Sequence, residues 1–139
     1  MSVDALFEGA RAAQAHAYAP YSRFRVGAAL RDANGGIHAG CNVENAAYPI
    51  GTCAEAGAIA AMILAGETRI AEILVVGDGA ALVTPCGGCR QRIREFACAD
   101  TPVHVAGPDG VRRTFRLEDL LPLSFGPDNL AETAPEPIG

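Results

Sequence analysis

No block of lysine or arginine, no apolar run of membrane-spanning length and no basic-then-apolar leader occurs in this sequence. Each absence excludes a class of function. Without a basic block, and with 11 basic against 16 acidic residues, nothing offers a nucleic-acid backbone its electrostatic footprint. The longest uncharged apolar stretch, Ala56 to Ala65, falls well short of the roughly 18 residues that a membrane span needs. The opening "MSVDALFEGARAAQ" lacks a secretory layout, so the expected location is cytoplasmic. Charge itself is scarce, at 19% of residues against the roughly 25% usual for soluble domains. With half the residues hydrophobic, that balance suits a compact core and a subunit that hides further surface in an oligomer.

The 139 residues suit one domain, able to bury about two-thirds of its unfolded surface. No internal repeat, low-complexity tract or linker divides them. Helical spacing of Leu6, Ala10, Ala13 and Ala17 predicts a helix over residues 3–17, closed by Pro20 and weakened by Gly9. "FRVGAALRDANGGIHAGCNVEN" places two strand-compatible runs around Asn34-Gly35-Gly36, a hairpin signal. The stretch after Cys53 is apolar all round, which predicts a helix inside the core. "EILVVGDG", then "PCGGCRQRIREFA", then "PVHVAGP" read as strand, helix and strand of a parallel unit. "LEDLLP" suits one short helical turn. Beyond Gly126, three prolines and few apolar residues predict a frayed tail over residues 127–139. The expected class is α/β, a mixed sheet of about five strands packed with helices.

Five cysteines, Cys41, Cys53, Cys86, Cys89 and Cys98, make an odd count that argues against a disulfide framework. "PCGGC" alone is ambiguous: half of a structural zinc site, a redox pair or part of a catalytic metal site. A structural site would have a second such pair, and none exists. Taking Cys53 as a third ligand leaves the fourth tetrahedral position of Zn²⁺ open, the arrangement of catalytic zinc. Both ligand groups stand where an apolar run begins, and helix N-termini stabilise thiolates. Glu55 then has a purpose. A carboxylate sealed in an apolar site is costly unless it is paired or protonated, and beside an activated water it can carry a proton. The alternative is a carboxylate serving only its helix N-terminus, near an unrelated core cysteine.

C-A-E at residues 53–55 followed by P-C-x-x-C at 85–89 resembles the zinc nucleoside and nucleobase deaminases in their three-cysteine form. "YSRFRVGAAL", "NVENAAY", "PCGGCRQ" and "LLPLSFGPDNL" look like the small homotetrameric cytidine deaminases, in the right order, from about Tyr18 to Leu130. The resemblance implies a three-layer deaminase domain over residues 1–126. It implies one zinc ion per subunit on Cys53, Cys86 and Cys89, and hydrolysis of cytidine and 2′-deoxycytidine by attack of metal-activated water at ring C4. Glu55 would take the water proton, deliver it to N3 and then help protonate the leaving amine. The resemblance further assigns Asn42 and Glu44 to the ribose; strand spacing independently turns positions i and i+2 to one side. Phe24, Tyr48 and Phe125 correspond to positions that wall base and sugar, some reaching in from neighbouring subunits, and Val43 and Ala46 are further substrate-binding positions. Ala54 would offer backbone groups to the base edge.

One departure stands out. Many relatives carry arginine directly after the glutamate, where this chain has Ala56. Arg90, the nearest arginine in sequence to a ligand, is the expected replacement together with helix N–H groups. Cys41 and Cys98 read as small core residues, and Arg92 and Arg94 as a solvated helix face. His16, His38 and His104 show no metal-ligand spacing and read as structural or surface groups. The competing readings are a same-fold deaminase for another aminopyrimidine or nucleoside antibiotic, and a non-catalytic protein braced by zinc. A nucleic-acid editing enzyme is disfavoured by the acidic balance and the small size.

Overall fold

The computed structural model describes residues 2–131. Helix α1 (Val3–Gln14) starts at Ser2, whose hydroxyl oxygen accepts the Asp4 N–H at 3.0 Å. It ends three residues before the expected 17. The Gln14 side chain is drawn to the Arg25 carbonyl (3.0 Å) and Asp78 (3.2 Å), and Tyr18 must leave the helix to exchange backbone hydrogen bonds with Asn42 and Glu44.

Strands β1 (Val26–Asp32) and β2 (Ile37–Cys41) form the expected hairpin, with Gly35 at φ 91° in the turn. A single 3-10 turn (Tyr48–Ile50) leads to helix α2 (Ala54–Leu64). Strand β3 (Ile70–Gly77), helix α3 (Gly87–Phe96) and strand β4 (Pro102–Gly107) make the expected parallel unit. Strand β5 (Gly110–Arg116) follows, then the short helix α4 (Leu117–Leu120) and the helical turn α5 (Pro127–Ala131). The five strands form one mixed sheet in the order β2-β1-β3-β4-β5, parallel only between β3 and β4.

Strand alternation sorts the core into two layers. Ala29, Leu74, Val76 and Ala106 face α1, meeting Leu6 and Ala10. Leu30, Ile73, Val75 and Val103 face the other way, against Ala58 and Met62 of α2 and Ile93 of α3. Each fully buried Leu, Ile or Val contributes about 1.5–3 kcal/mol. The two layers hold α2 and α3 side by side on one face.

Gly40 sets how close α2 comes. A Cβ there would stand 2.4 Å from the Ala58 nitrogen and 2.6 Å from the Ala54 carbonyl oxygen, so helix backbone rests directly on strand backbone. That contact seats the first turn of α2, which carries Glu55.

Three expectations change. Helix α2 is buried along one face only: Ala54, Glu55, Ala58, Ile59 and Met62 are inside, while Ile63 and Leu64 are exposed, Leu64 at 89%. It is an outer layer of a sandwich, so its far side meets no strand. Cys98 is exposed, hydrogen-bonded by Arg69 (3.2 Å), because α3 has already ended at Phe96 and the chain is turning. The frayed tail expected from residue 127 begins with the turn of α5, where Asp128 pairs with Arg94 at 2.8 Å; residues 132–139 lie outside the described residues.

Candidate active site

Cys53 and Cys86 occupy the N-cap positions of α2 and α3, and Cys89 is the third residue of α3. The two helix starts converge. The Cys53 and Cys86 sulfurs are 3.6 Å apart, and all three sulfurs lie within 4.8 Å of one another. A tetrahedral ion at the usual Zn–S distance of about 2.3 Å would separate its sulfur ligands by about 3.8 Å. Three soft thiols from two helix N-termini therefore fit zinc in both chemistry and span. A redox pair would need only Cys86 and Cys89, and would leave Cys53 unexplained. His16, His38 and His104 stand apart: His38 pairs with Asp32 (2.7 Å), and His104 with Glu72 (2.9 Å) and Thr114 (2.8 Å).

Glu55, in the first turn of α2, is only 3% exposed. Burial pushes its carboxyl above the ordinary glutamate range; its own backbone N–H, the Arg92 charge and the Cys89 thiol draw it part of the way back. Burial likewise raises Cys53 and Cys89, and the neighbouring acidic groups add to it. Cys86, though also desolvated, ends lower because the Cys89 N–H and the two neighbouring thiols stabilise its thiolate. Three crowded sulfurs beside a buried carboxyl form a site that a divalent cation would relieve.

A cavity of about 370 Å³ opens over this floor, inside the range of roughly 300–1,000 Å³ of small-molecule sites. Phe24, Asn42, Val43, Glu44, Tyr48, Cys53, Ala54, Glu55 and Cys86 all border it. Sequence reasoning missed Val83 and Thr84, which complete the wall on the loop leading to Cys86. Two of the expected residues, Ala46 and Phe125, do not border this cavity. Ala46 sits on the exposed loop before the 3-10 turn; Phe125 is 59% exposed, its carbonyl accepting from Gln91 at 2.8 Å.

Asn42 and Glu44 both border the cavity, and both are anchored. The Asn42 amide accepts the Val26 N–H (2.9 Å) and donates to the Phe24 carbonyl (2.8 Å). Glu44 accepts the backbone N–H groups of Tyr21 (2.9 Å) and Ser22 (3.2 Å) and the Ser22 hydroxyl. That hydroxyl, joined by the two N–H groups, holds the Glu44 carboxyl below its ordinary range, against a smaller desolvation effect. The pair thus fixes the loop that presents Phe24.

The arginines correct one expectation and add to another. Arg90 does not face the sulfurs. Its guanidinium donates to the carbonyls of Pro85 (2.7 Å) and Leu120 (2.8 Å) and to the Thr84 hydroxyl (3.1 Å), bracing the loop before Cys86. Arg92, expected on a solvated helix face, is indeed exposed, and from there its guanidinium also donates to the Cys89 sulfur at 3.5 Å. The signal was available: residues 89 and 92 are three apart on a helix and share a face, whereas 90 points elsewhere. Arg94 is also engaged, with Ser124 (2.9 Å) and Asp128.

The family model for the cytidine and deoxycytidylate deaminase zinc-binding region matches residues 2–105. A cytidine deaminase of Sporosarcina psychrophila is 38% identical over 134 residues, covering 96% of this chain and 98% of its own. One from Mycobacterium tuberculosis is 40% identical over 118 residues, 85% of each chain. The crystal structure of cytidine deaminase from Burkholderia pseudomallei superposes with a TM-score of 0.85 at 42% identity, covering 90% of this chain and all of that one.

Proposed function

The chain belongs to the cytidine and deoxycytidylate deaminase family, and from that membership we propose that it hydrolyses cytidine and 2′-deoxycytidine to uridine and 2′-deoxyuridine, releasing ammonia. The observation that carries this reading is the convergence of three thiols beside one buried carboxyl, with Cys53, Cys86 and Glu55 bordering the cavity. Cys53, Cys86 and Cys89 would hold one zinc ion per subunit, whose chemistry is to lower the pKa of a water and ready it for attack on a carbon centre.

Glu55 moves the protons. A carboxylate oxygen takes one from the attacking water and delivers it to ring N3, then takes the second from the hydroxyl newly formed at C4 and passes it to the departing amine. A group that must both accept and return a proton works best with an affinity above that of an exposed glutamate, and burial supplies this shift. The remaining Asn42 amide hydrogen and the remaining lone pair on Glu44 Oε2 meet the ribose hydroxyls. Phe24, Val43 and Tyr48 wall base and sugar, and the Ala54 backbone meets the base edge.

Ala46 and Phe125 serve from outside this cavity, Phe125 by reaching into that of a neighbouring copy. A homotetramer with shared sites fits the apolar side chains left exposed on the single chain, Tyr48 (75%), Ile50, Leu64 and Phe125 among them. The working domain spans residues 1–126. No helix among the described residues is long and apolar enough to cross a membrane, in keeping with salvage of free pyrimidine nucleosides in the cytoplasm.

The test is an ultraviolet assay of cytidine conversion, with ammonia and bound metal measured on the same sample. One zinc per chain, and turnover that disappears when zinc is stripped, support the reading. A zinc-loaded protein inert on both nucleosides contradicts it; turnover of a different aminopyrimidine in a substrate panel would redirect it to the same-fold alternative.

A further inference from the structure

One divalent ion does not cancel the charge of three thiolate ligands: they leave one negative charge in excess, beside the buried Glu55 carboxyl. Ala56, the residue after Glu55, contributes none of the balance. Arg90 is spent on Pro85, Thr84 and Leu120, and Arg94 on Ser124 and Asp128. Among the described residues, Arg92 is the cation hydrogen-bonded to one of the three sulfurs, with Nη1 at 3.5 Å from Cys89 Sγ.

The helix is shaped to permit this contact. Residue 92 lies one turn after 89, so its stem runs back toward the N-terminus of α3, the direction helical side chains take. The guanidinium passes over Gly88, where a Cβ would stand 3.3 Å from Arg92 Nη1. Cys89 is buried, so the guanidinium sits at the point where the sulfur cluster meets the surface.

We propose that Arg92 is the charge-balancing positioning residue of the thiol cluster, holding the Cys89 sulfur in ligand geometry and retaining the metal through its fixed positive charge. The proposal deepens the deaminase reading and rests on its metal site. A guanidinium donating to a ligating sulfur removes excess electron density from it and stops the thiolate from swinging away. Outer partners of this kind typically change metal affinity about 10–100-fold when removed. Because Arg92 reaches the sulfur from the surface, its contribution is screened by salt.

The experiment measures zinc release from the intact protein into a chromophoric chelator, at low and high ionic strength, for the wild type, Arg92→Gln and Arg92→Lys. Expected is release about 10–100-fold faster for Arg92→Gln at low salt, with the gap narrowing at high salt. Arg92→Lys, which keeps the charge, recovers much of the wild-type retention. Circular dichroism on the stripped proteins separates this from a folding defect: the three apo forms should melt together. Zinc release from Arg92→Gln at the wild-type rate overturns the proposal while leaving the deaminase reading intact. Equal loss in Arg92→Gln and Arg92→Lys overturns it too, since charge would then be irrelevant. A wild-type protein that binds no zinc overturns both.

Discussion

The two faces of the sheet treat ionisable side chains in opposite ways. On the α1 face, Arg31, Glu72, His104 and Thr114 form a closed chain across four strands. Arg31 pairs with Glu72 (3.3 Å) and caps its charge on the Ser2 carbonyl (2.7 Å); Glu72 also meets His104, which reaches Thr114. Every member has a partner of matching character, as a structural network requires. On the α2/α3 face, a 3%-exposed carboxyl and three thiols share a single guanidinium. The first arrangement holds the sheet; the second is electrostatically unfinished and stands open to a cavity. Incomplete pairing at one spot, in a molecule able to complete it elsewhere, is how a working site differs from a scaffold.

Breaking the open face should give the largest effect. Glu55→Ala should retain fold and zinc yet lose about 10²–10⁴ in turnover, the range of positioned proton transfer. A variant with a tenth of wild-type activity would take Glu55 out of the chemistry. Gly40→Ala attacks the support of the same site. Its Cβ meets the α2 backbone at 2.4–2.7 Å, so the first turn of α2 must shift. A misplacement near 1 Å costs about 10²-fold in rate, and overpacking about 1–3 kcal/mol in stability. Unchanged kcat and melting temperature would show that α2 does not depend on that contact.

On the closed face the expectation inverts. Glu72→Gln should cost about 1–3 kcal/mol in denaturant unfolding, by weakening the ion pair of buried Arg31, with kcat and KM near wild type. A kinetic defect as large as the stability defect would mean that the two faces are coupled. The smallest effect belongs to the hairpin. The His38 contact, with the Gly36 and Asn34 N–H groups, holds Asp32 below its ordinary 3.8 against desolvation. A depressed carboxylate stabilises the fold above its unfolded pKa and loses that contribution as pH falls through the folded value. Asp32→Asn should therefore flatten the acid limb of stability below about pH 4, relative to wild type. An identical acid limb in both proteins would remove the hairpin from the pH response.

What could be read from sequence was what lies close together along it. The hairpin, the two helix starts and the cysteine spacing are local patterns, and each recurs in the structure. Strand β5 was not foreseen by name because its "GVRRTFR" carries three arginines and little apolar alternation, as suits an exposed edge; the turn at Asp109-Gly110 was its available signal. Adjacency in sequence points to Arg90, but a helix turns neighbours about 100° apart, and it is Arg92, one turn on, that meets Cys89. The exposed side of α2 was hidden by composition: a helix apolar all round looks the same whether its second face meets its own core or another surface. Val83 and Thr84 reach the cavity through the path of a loop, which no periodicity encodes.

The most direct measurement is X-ray absorption at the zinc edge on the purified protein. Three sulfur neighbours at about 2.3 Å and one oxygen or nitrogen at about 2.0 Å are predicted, the signature of a three-thiolate site with one open position. Four sulfurs, or a shell without three, would contradict the assignment of Cys53, Cys86 and Cys89 to one catalytic ion.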